Sequence, residues 1–162
     1  MPYALQPLST PSLKWLAESR VPEELAKRAE PGSMPPAFVA ARALTLQATP
    51  GHPNLPTSYL IVREEDSRFV GACGFKTPLG KNRVEVGYGV APGTQGRGAA
   101  SAALKLLTEL ALQSGTSEVL AEIVPSNAAS IRVAQKAGFR QVGARVDEDN
   151  DYVTQWLYRS GA

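Results

Sequence analysis

The chain has 162 residues, 43 % of them apolar and 20 % charged, which predicts a single globular domain over 1–162 with a proper core. The net charge of +2 and the lack of a basic run give no support to nucleic acid as a partner, and no apolar stretch reaches the roughly 20 residues that cross a bilayer. One Cys, one His and an N-terminus without a secretory pattern predict a cytoplasmic protein with no disulfide and no metal site.

The N-terminal third predicts a short strand followed by helices. Residues 3–8 are predicted to form a first short strand, and a Ser-Thr-Pro sequence starts a helix over 11–20. Two more helices are predicted over 23–30 and 36–48. The proline-rich segment 49–56 that follows predicts a loop.

The rest of the chain predicts a sheet interrupted by two helices. Strands are predicted over 58–64, 69–76, 83–90, 116–124, 139–146 and 152–158, and helices over 101–113 and 128–137. The first three of these strands form a meander, whereas a strand–helix–strand unit implies a right-handed crossover and a parallel pair. The predicted fold class is therefore α/β (α+β), with a single mixed, mostly antiparallel sheet of about six or seven strands flanked by helices.

The segment 84–100, V-E-V-G-Y-G-V-A-P-G-T-Q-G-R-G-A-A, is a strand that runs through a glycine-rich turn into a helix. Unpaired N–H groups at a helix N-terminus and the positive end of its dipole bind anions. The loop therefore predicts a phosphate or pyrophosphate site. The alternative is that its glycines only make a tight turn.

Two other phosphate-binding motifs fit this loop less well. A P-loop requires Gly-Lys-Ser/Thr, which does not follow here. A dinucleotide fingerprint belongs at the first strand–helix junction, but this loop lies past mid-chain and its third small residue falls at Ser101.

Two blocks of this chain resemble the GNAT superfamily of N-acetyltransferases. Gln95-x-x-Gly98-x-Ala100 resembles the acyl-CoA signature of that family, and the segment from Asn127 to Phe139 resembles its second block, which ends in Gly-Phe. The wording of the second block is most similar to the branch that contains the Rim-type ribosomal-protein-alanine acetyltransferases. The resemblance covers about residues 59–143 and implies a GNAT-like sheet with a splayed parallel strand pair.

The resemblance implies acetyl-CoA as co-substrate and indicates which residues hold it. Backbone N–H groups of the loop would grip the pyrophosphate, while Arg97 either pairs with a phosphate or lies in solvent. The backbone near Val90 would bind the pantetheine arm and stabilise the oxyanion, and Asn127 would contact the arm, cap its helix, or do both. The expected cofactor-binding residues are Val90, Gln95, Gly96, Arg97, Gly98, Ala99, Ala100, Asn127 and Ser130.

Catalysis needs a base, because a free amine is mostly protonated at neutral pH. Glu85 is the candidate, since it shares a strand face with Gly87 and Gly89, which would leave an open floor for substrate. The alternative is an exposed Glu85, or one that pairs with Arg83 or Lys81. The tyrosine that many relatives use as general acid is replaced by Ala134, so Ser130, Tyr88 or a water is the candidate acid.

These features predict an acetyl-CoA-dependent N-acetyltransferase that moves the acetyl group directly to a primary amine. The acceptor is a small-molecule amine or a protein N-terminus, and the sequence does not choose between them. Two alternatives stay open: a catalytically idle CoA-binding sensor or scaffold, and a transferase for another acyl-CoA. The outer strands also leave room for two copies to pair as a homodimer.

Overall fold

The computed structural model describes residues 2–53 and 55–161, which contain seven strands and five helices. The strands are β1 (Tyr3–Pro7), β2 (Ser58–Arg63), β3 (Arg68–Phe75), β4 (Arg83–Val90), β5 (Glu118–Ile123), β6 (Arg140–Val146) and β7 (Tyr152–Arg159). The helices are α1 (Thr10–Ala17), α2 (Glu23–Ala26), α3 (Ala37–Gln47), α4 (Ala99–Gln113) and α5 (Ala128–Lys136), and a 3-10 turn, Pro92–Thr94, precedes α4.

All seven strands form one mixed sheet in the order β1-β2-β3-β4-β5-β7-β6. Neighbouring strands are antiparallel except β4 and β5, which are parallel because α4 crosses over between them. This confirms the predicted fold class. None of the helices within residues 2–53 and 55–161 has the length and apolarity that crossing a membrane requires.

Helices cover the sheet on both faces, and the alternation of side chains along β2 shows why. Tyr59 and Ile61 pack into the core shared with α4 and α5, whereas Leu60 packs with α1 and α3 on the opposite face. The α4 helix contributes its fully buried Leu104 and Leu107 to the first core. The sheet is thus rigidly held at its centre, where β4 lies.

The parallel pair β4–β5 separates halfway along its length. The two strands pair from Arg83 with Glu118 as far as Glu85 with Leu120, but β4 continues to Val90 and β5 to Ile123 without further pairing. The expected splay is therefore present, and it opens a gap in the sheet at the end of β4.

Helix α2 ends earlier than the sequence predicts. The prediction runs to residue 30, but the helix ends at Ala26, because the chain leaves it to join the edge of β3. Ala29 forms an isolated bridge with Phe69, and the Glu30 N–H donates to the Phe69 carbonyl at 2.9 Å. Tertiary pairing thus outweighs the helical propensity of residues 27–30.

Candidate active site

The glycine loop between β4 and α4 leaves its backbone donors unpaired. Gly98 is the N-cap of α4 in the left-handed conformation, with φ of +88°, and no side chain caps the helix. Intrahelical bonding begins with the Ala102 N–H, which donates to the Gly98 carbonyl at 3.0 Å. The N–H groups of residues 99–101 therefore have no intrahelical acceptor and are available to an anion.

A tyrosine from the first strand holds this loop in place. The Tyr3 hydroxyl donates to the Arg97 carbonyl at 3.0 Å, across 94 positions of sequence. The Arg97 side chain is exposed and makes no ion pair with the described residues. Tyr3 gave no signal in the sequence, because a tyrosine in a short strand is usual in a core.

A cavity of about 390 Å³ adjoins the loop and is called the loop cavity here. It lies between the end of β4, the first turn of α4 and helix α5. The expected residues that line it are Tyr88, Val90, Gln95, Gly96, Gly98, Ala99, Ala100, Asn127 and Ser130. Arg97 is not among its lining residues.

The loop cavity is electropositive. Arg132 and Lys136 line it, and no carboxylate does so among the residues that the structure describes. Neither cation was predicted to be a site residue, although their spacing of four residues puts them on one face of α5. Together with the unpaired N–H groups, they suit a ligand with several phosphates.

A second cavity, of about 430 Å³, lies on the other face of the sheet and is called the α3 cavity here. It is bounded by α3, the loop that precedes α3, and strands β3 and β4. The two cavities share Tyr88, Gly89 and Val90 as lining residues. They therefore meet at the end of β4, where the sheet is split.

The backbone of β4 faces this split at alternate residues. The Ala91 N–H donates to β3 at Val70, and the Glu85 carbonyl accepts from Lys76, so odd-numbered residues bond toward β3. Alternation then directs the N–H and C=O groups of Tyr88 and Val90 toward β5, which has already diverged. The Gln95 amide reaches the Val90 carbonyl at a weak 3.5 Å. The Val90 N–H is thus directed into the gap.

Two of the predicted catalytic residues touch each other. The Tyr88 hydroxyl lies 2.7 Å from the Ser130 Oγ, so β4 and α5 are joined at the loop cavity. Burial raises the pKa of the Tyr88 phenol, and the Ser130 contact offsets only part of that rise. The phenol is therefore protonated at neutral pH and can donate a proton.

Asn127 caps helix α5. Its Oδ1 accepts the Ser130 N–H at 3.1 Å, which is the capping role expected of an Asn at this position. The cap fixes the backbone of Ser130 and so helps to hold its hydroxyl against Tyr88. Contact of Asn127 with a pantetheine arm remains a prediction.

Glu85 lies apart from Tyr88 and Ser130. Its carboxylate accepts from the Lys76 Nζ at 2.9 Å, and its side chain is 14 % exposed. The ion-pair partner is thus Lys76, whereas the sequence suggested Arg83 or Lys81; Arg83 pairs with Glu118 instead. Glu85 lines neither cavity, and a role as base remains a prediction.

The open floor expected beside Glu85 is partly covered. A Cβ placed on Gly87 would lie 3.1 Å from the Cδ of Lys76, so the lysine chain passes over that glycine. A Cβ on Gly89 would meet nothing within 4 Å. Both glycines line the α3 cavity, but the space above Gly89 is open, whereas the Lys76 side chain lies over Gly87.

Cys73 lines the α3 cavity but is chemically inert there. It is 5 % exposed, and burial strongly raises the pKa of its thiol. A thiol that stays protonated is a poor nucleophile, so a covalent acetyl-cysteine route has no support. Within residues 2–53 and 55–161, no group of three or more His, Cys, Asp or Glu side chains is arranged to bind a metal.

The sequence profile of the acetyltransferase (GNAT) domain family matches residues 13–140 of this chain. The chain therefore belongs to this family, as the two sequence blocks indicated. The protein is a GNAT-type N-acetyltransferase. No curated protein sequence matches the chain.

Solved structures agree with this fold over almost the whole chain. A ribosomal-protein-S5-alanine acetyltransferase from Vibrio fischeri superposes with a TM-score of 0.68 at 16 % identity, covering 99 % of this chain and 94 % of that one. An acetyltransferase from Agrobacterium tumefaciens gives 0.66 at 20 % identity, covering 98 % and 91 %. A dodecameric spermidine N-acetyltransferase from Vibrio cholerae gives 0.66 at 14 % identity, covering 98 % and 94 %.

Proposed function

We propose that this enzyme takes an acetyl group from acetyl-CoA and transfers it directly to a primary amine. The observation that carries the proposal is the meeting of the loop cavity and the α3 cavity at Tyr88, Gly89 and Val90. A donor entering from one face of the sheet and an acceptor entering from the other reach one point. Direct transfer then needs no covalent enzyme intermediate.

The loop cavity supplies the groups that acetyl-CoA requires. The unpaired N–H groups at the start of α4 and the dipole of that helix would bind the pyrophosphate. Arg132 and Lys136 would neutralise phosphate charge from the opposite wall. A Cβ at Gly96 or Gly98 would meet no atom of the described residues within 4 Å, so this space is available to phosphate.

The split in the sheet supplies the oxyanion donor. The Val90 N–H faces a gap in which none of the described strands competes for it. A pantetheine arm in that gap would bring the thioester carbonyl to this donor, which would stabilise the tetrahedral transition state. Asn127 would hold the arm from the side of α5.

Proton transfers would fall to groups on both faces of β4. Glu85 would take the amine proton, through water or after its ion pair with Lys76 opens. Tyr88, supported by Ser130, would return a proton to the departing thiolate. Ala134, which is buried in the core, stands where other members have the helical tyrosine and has no proton to donate. The phenol of Tyr88 would take that role in this chain.

The names of similar structures suggest candidates for the acceptor. One is a ribosomal-protein-alanine acetyltransferase and another a spermidine acetyltransferase, and both acceptors are amines. At 14–16 % identity these names carry over to this chain only as candidates. A protein N-terminus and a small-molecule amine are therefore the two acceptor types to test.

We also propose that two copies of the chain pair as a homodimer. Strand β6 is an outer strand of the sheet and exposes Val142 and Val146, with Tyr152 beside them on β7. Exposed apolar side chains on an edge strand favour association. Light scattering after gel filtration would measure the mass. The cytoplasmic location stays a prediction.

Two rival functions differ from the proposal in measurable ways. A catalytically idle CoA-binding module would bind acetyl-CoA but release no thiol in the presence of any amine. The feature that supports this alternative is Ala134, which stands where other members have the helical tyrosine. A transferase for another acyl group would use propionyl- or succinyl-CoA faster than acetyl-CoA.

The first test is thermal stability with acetyl-CoA, CoA and ATP. A ligand at 100 times its Kd adds about 2.7 kcal/mol. That corresponds to a rise of about 5–10 °C in Tm for a domain of this size. We expect this rise with both CoA forms and little change with ATP, followed by amine-dependent thiol release. No change in Tm at millimolar acetyl-CoA would mean that the loop is only a turn, and it would overturn the proposal.

A further inference from the structure

The α3 cavity contains an arginine without an acidic partner. Arg42 lies on α3, is half-buried and lines the cavity. Arg63, Arg83 and Arg145 each contact a carboxylate, but Arg42 makes no ion pair or side-chain hydrogen bond with the described residues. A guanidinium carries five N–H donors, so this one is open to a ligand with oxygen acceptors.

The charge balance of the α3 cavity is positive. The other cation in its lining is Lys76, which Glu85 neutralises at 2.9 Å. The lining includes no Asp or Glu among the residues that the structure describes. Arg42 is therefore the charge that a ligand in this cavity meets.

The rest of the wall around Arg42 is largely apolar. Phe38 and Val39, which precede it by one helical turn, line the same cavity, and Met34 is also among the lining residues. Phe38 is 70 % exposed and lines the cavity, so its ring is accessible to a ligand there. The cavity thus offers one cationic group within an apolar surface.

We infer that the acceptor is a primary amine that also carries a carboxylate on an apolar frame. Its carboxylate binds the Arg42 guanidinium, its frame packs on Phe38 and Val39, and its amine extends to Gly89. This inference rests on the proposed function and names the substrate class of the same site. A polyamine is disfavoured, because it brings several positive charges to Arg42 and finds no carboxylate.

The carboxylate takes no part in the chemical step. The amine nitrogen forms a bond to the thioester carbon, the carbon–sulfur bond breaks, and the products are an amide and the CoA thiol. One proton leaves the amine and one reaches the thiolate. Arg42 therefore acts on binding of the acceptor and not on the reacting atoms.

The test is a calorimetric titration of the full chain saturated with CoA, which cannot react. The probes are two matched pairs, phenylalanine with phenylalaninamide and γ-aminobutyrate with its amide, and spermidine. We expect at least one acid to bind tenfold or more tightly than its amide, because a charge-assisted guanidinium–carboxylate contact is lost in the amide. Arg42→Gln should bring that ratio to about one with no change in CoA affinity.

Arg140→Gln is the matched control, since Arg140 is an exposed arginine on β6 that lines neither cavity. It should keep the wild-type preference. The inference is overturned if the amides or spermidine bind as tightly as the acids, if Arg42→Gln keeps the preference, or if no acid binds. Failure of CoA itself to bind would instead overturn the proposed function. The same acid–amide titration on the unloaded chain would then decide the role of Arg42.

Discussion

The hydroxyl of Tyr88 lies 2.7 Å from the Oγ of Ser130, and this contact joins strand β4 to helix α5. The strand brings the phenol to the point where the two cavities meet, and the Asn127 cap fixes the first turn of the helix that carries the serine. The proposed function accordingly assigns to Tyr88 the proton transfer that a helical tyrosine performs in other members. Tyr88 is therefore the first residue to change.

Tyr88→Phe should lower kcat by about 100-fold, at the lower end of what a general acid contributes, because a thiolate is a fairly good leaving group. Binding of acetyl-CoA should be unchanged, since the ring remains. Ser130→Ala should cause a smaller loss. Tyr152→Phe, at an exposed position on β7, is the control and should match wild type. Full activity of Tyr88→Phe would mean that the thiolate leaves unaided.

The sequence was most informative where local chemistry and fold agree. The glycine loop and the capping role of Asn127 follow from backbone geometry that neighbouring residues set, whereas the splayed strand pair was implied by the resemblance to the GNAT family; the structure has all three. Strand and helix types were also correct for every element.

Long-range contacts were not predictable in the same way. Nothing near Arg97 in the chain indicates that Tyr3 holds its carbonyl. Glu85 pairs with Lys76, nine positions away, because β3 and β4 are adjacent antiparallel strands whose register a single sequence does not fix. The α3 cavity likewise combines side chains from elements that only the fold brings together.

The loop can be tested with two glycines at opposite ends of α4. Gly98 has φ of +88° and Gly115 has φ of +96°, and a Cβ at either position would meet no atom within 4 Å. Replacing either with Ala should cost about 1–2 kcal/mol through backbone strain. Only Gly98→Ala should also weaken the binding of acetyl-CoA, by tenfold or more in a calorimetric titration. Gly98→Trp should abolish that binding. If Gly98→Ala and Gly115→Ala bind acetyl-CoA with equal affinity, the loop is not part of the binding site.

Glu85→Gln tests the proposed base. If Glu85 takes the amine proton, kcat should fall by about 100-fold or more while the acetyl-CoA-dependent rise in Tm is kept. Glu109→Gln, on the exposed side of α4, should leave turnover unchanged. Lys76→Met tests the structural role of the ion pair separately from the proposed base, because it removes the cation and leaves the Glu85 carboxylate in place. If both acetyl-CoA binding and turnover survive in Glu85→Gln, Glu85 is not the base.

The buried carboxylate of Glu122 makes stability depend on pH. Its side chain is 6 % exposed and accepts two hydrogen bonds from Arg145, at 2.6 and 2.8 Å, and one from Gln155 at 2.9 Å. The Arg145 hydrogen bonds hold the pKa of Glu122 below its ordinary value. A depressed pKa means that the folded state favours the charged form. The resulting stability is therefore present above the unfolded pKa of about 4.3 and is lost as pH falls through the folded value.

Arg145→Met should lower the free energy of unfolding at pH 7 by about 2 kcal/mol, less than the 3–5 kcal/mol of a fully buried pair. The cost is reduced because Arg145 is 37 % exposed and Gln155 still donates to Glu122. Denaturant titrations at pH 7 and at pH 3 measure the loss, which should shrink at the lower pH as Glu122 takes up its proton.

Lys27→Met is the control, since its pair with Glu23 is long, at 3.9 Å, and exposed; it should change stability by less than about 0.5 kcal/mol at either pH. A loss in Arg145→Met that is the same at both pH values would show that Arg145 stabilises the sheet through packing and not through the charge of Glu122.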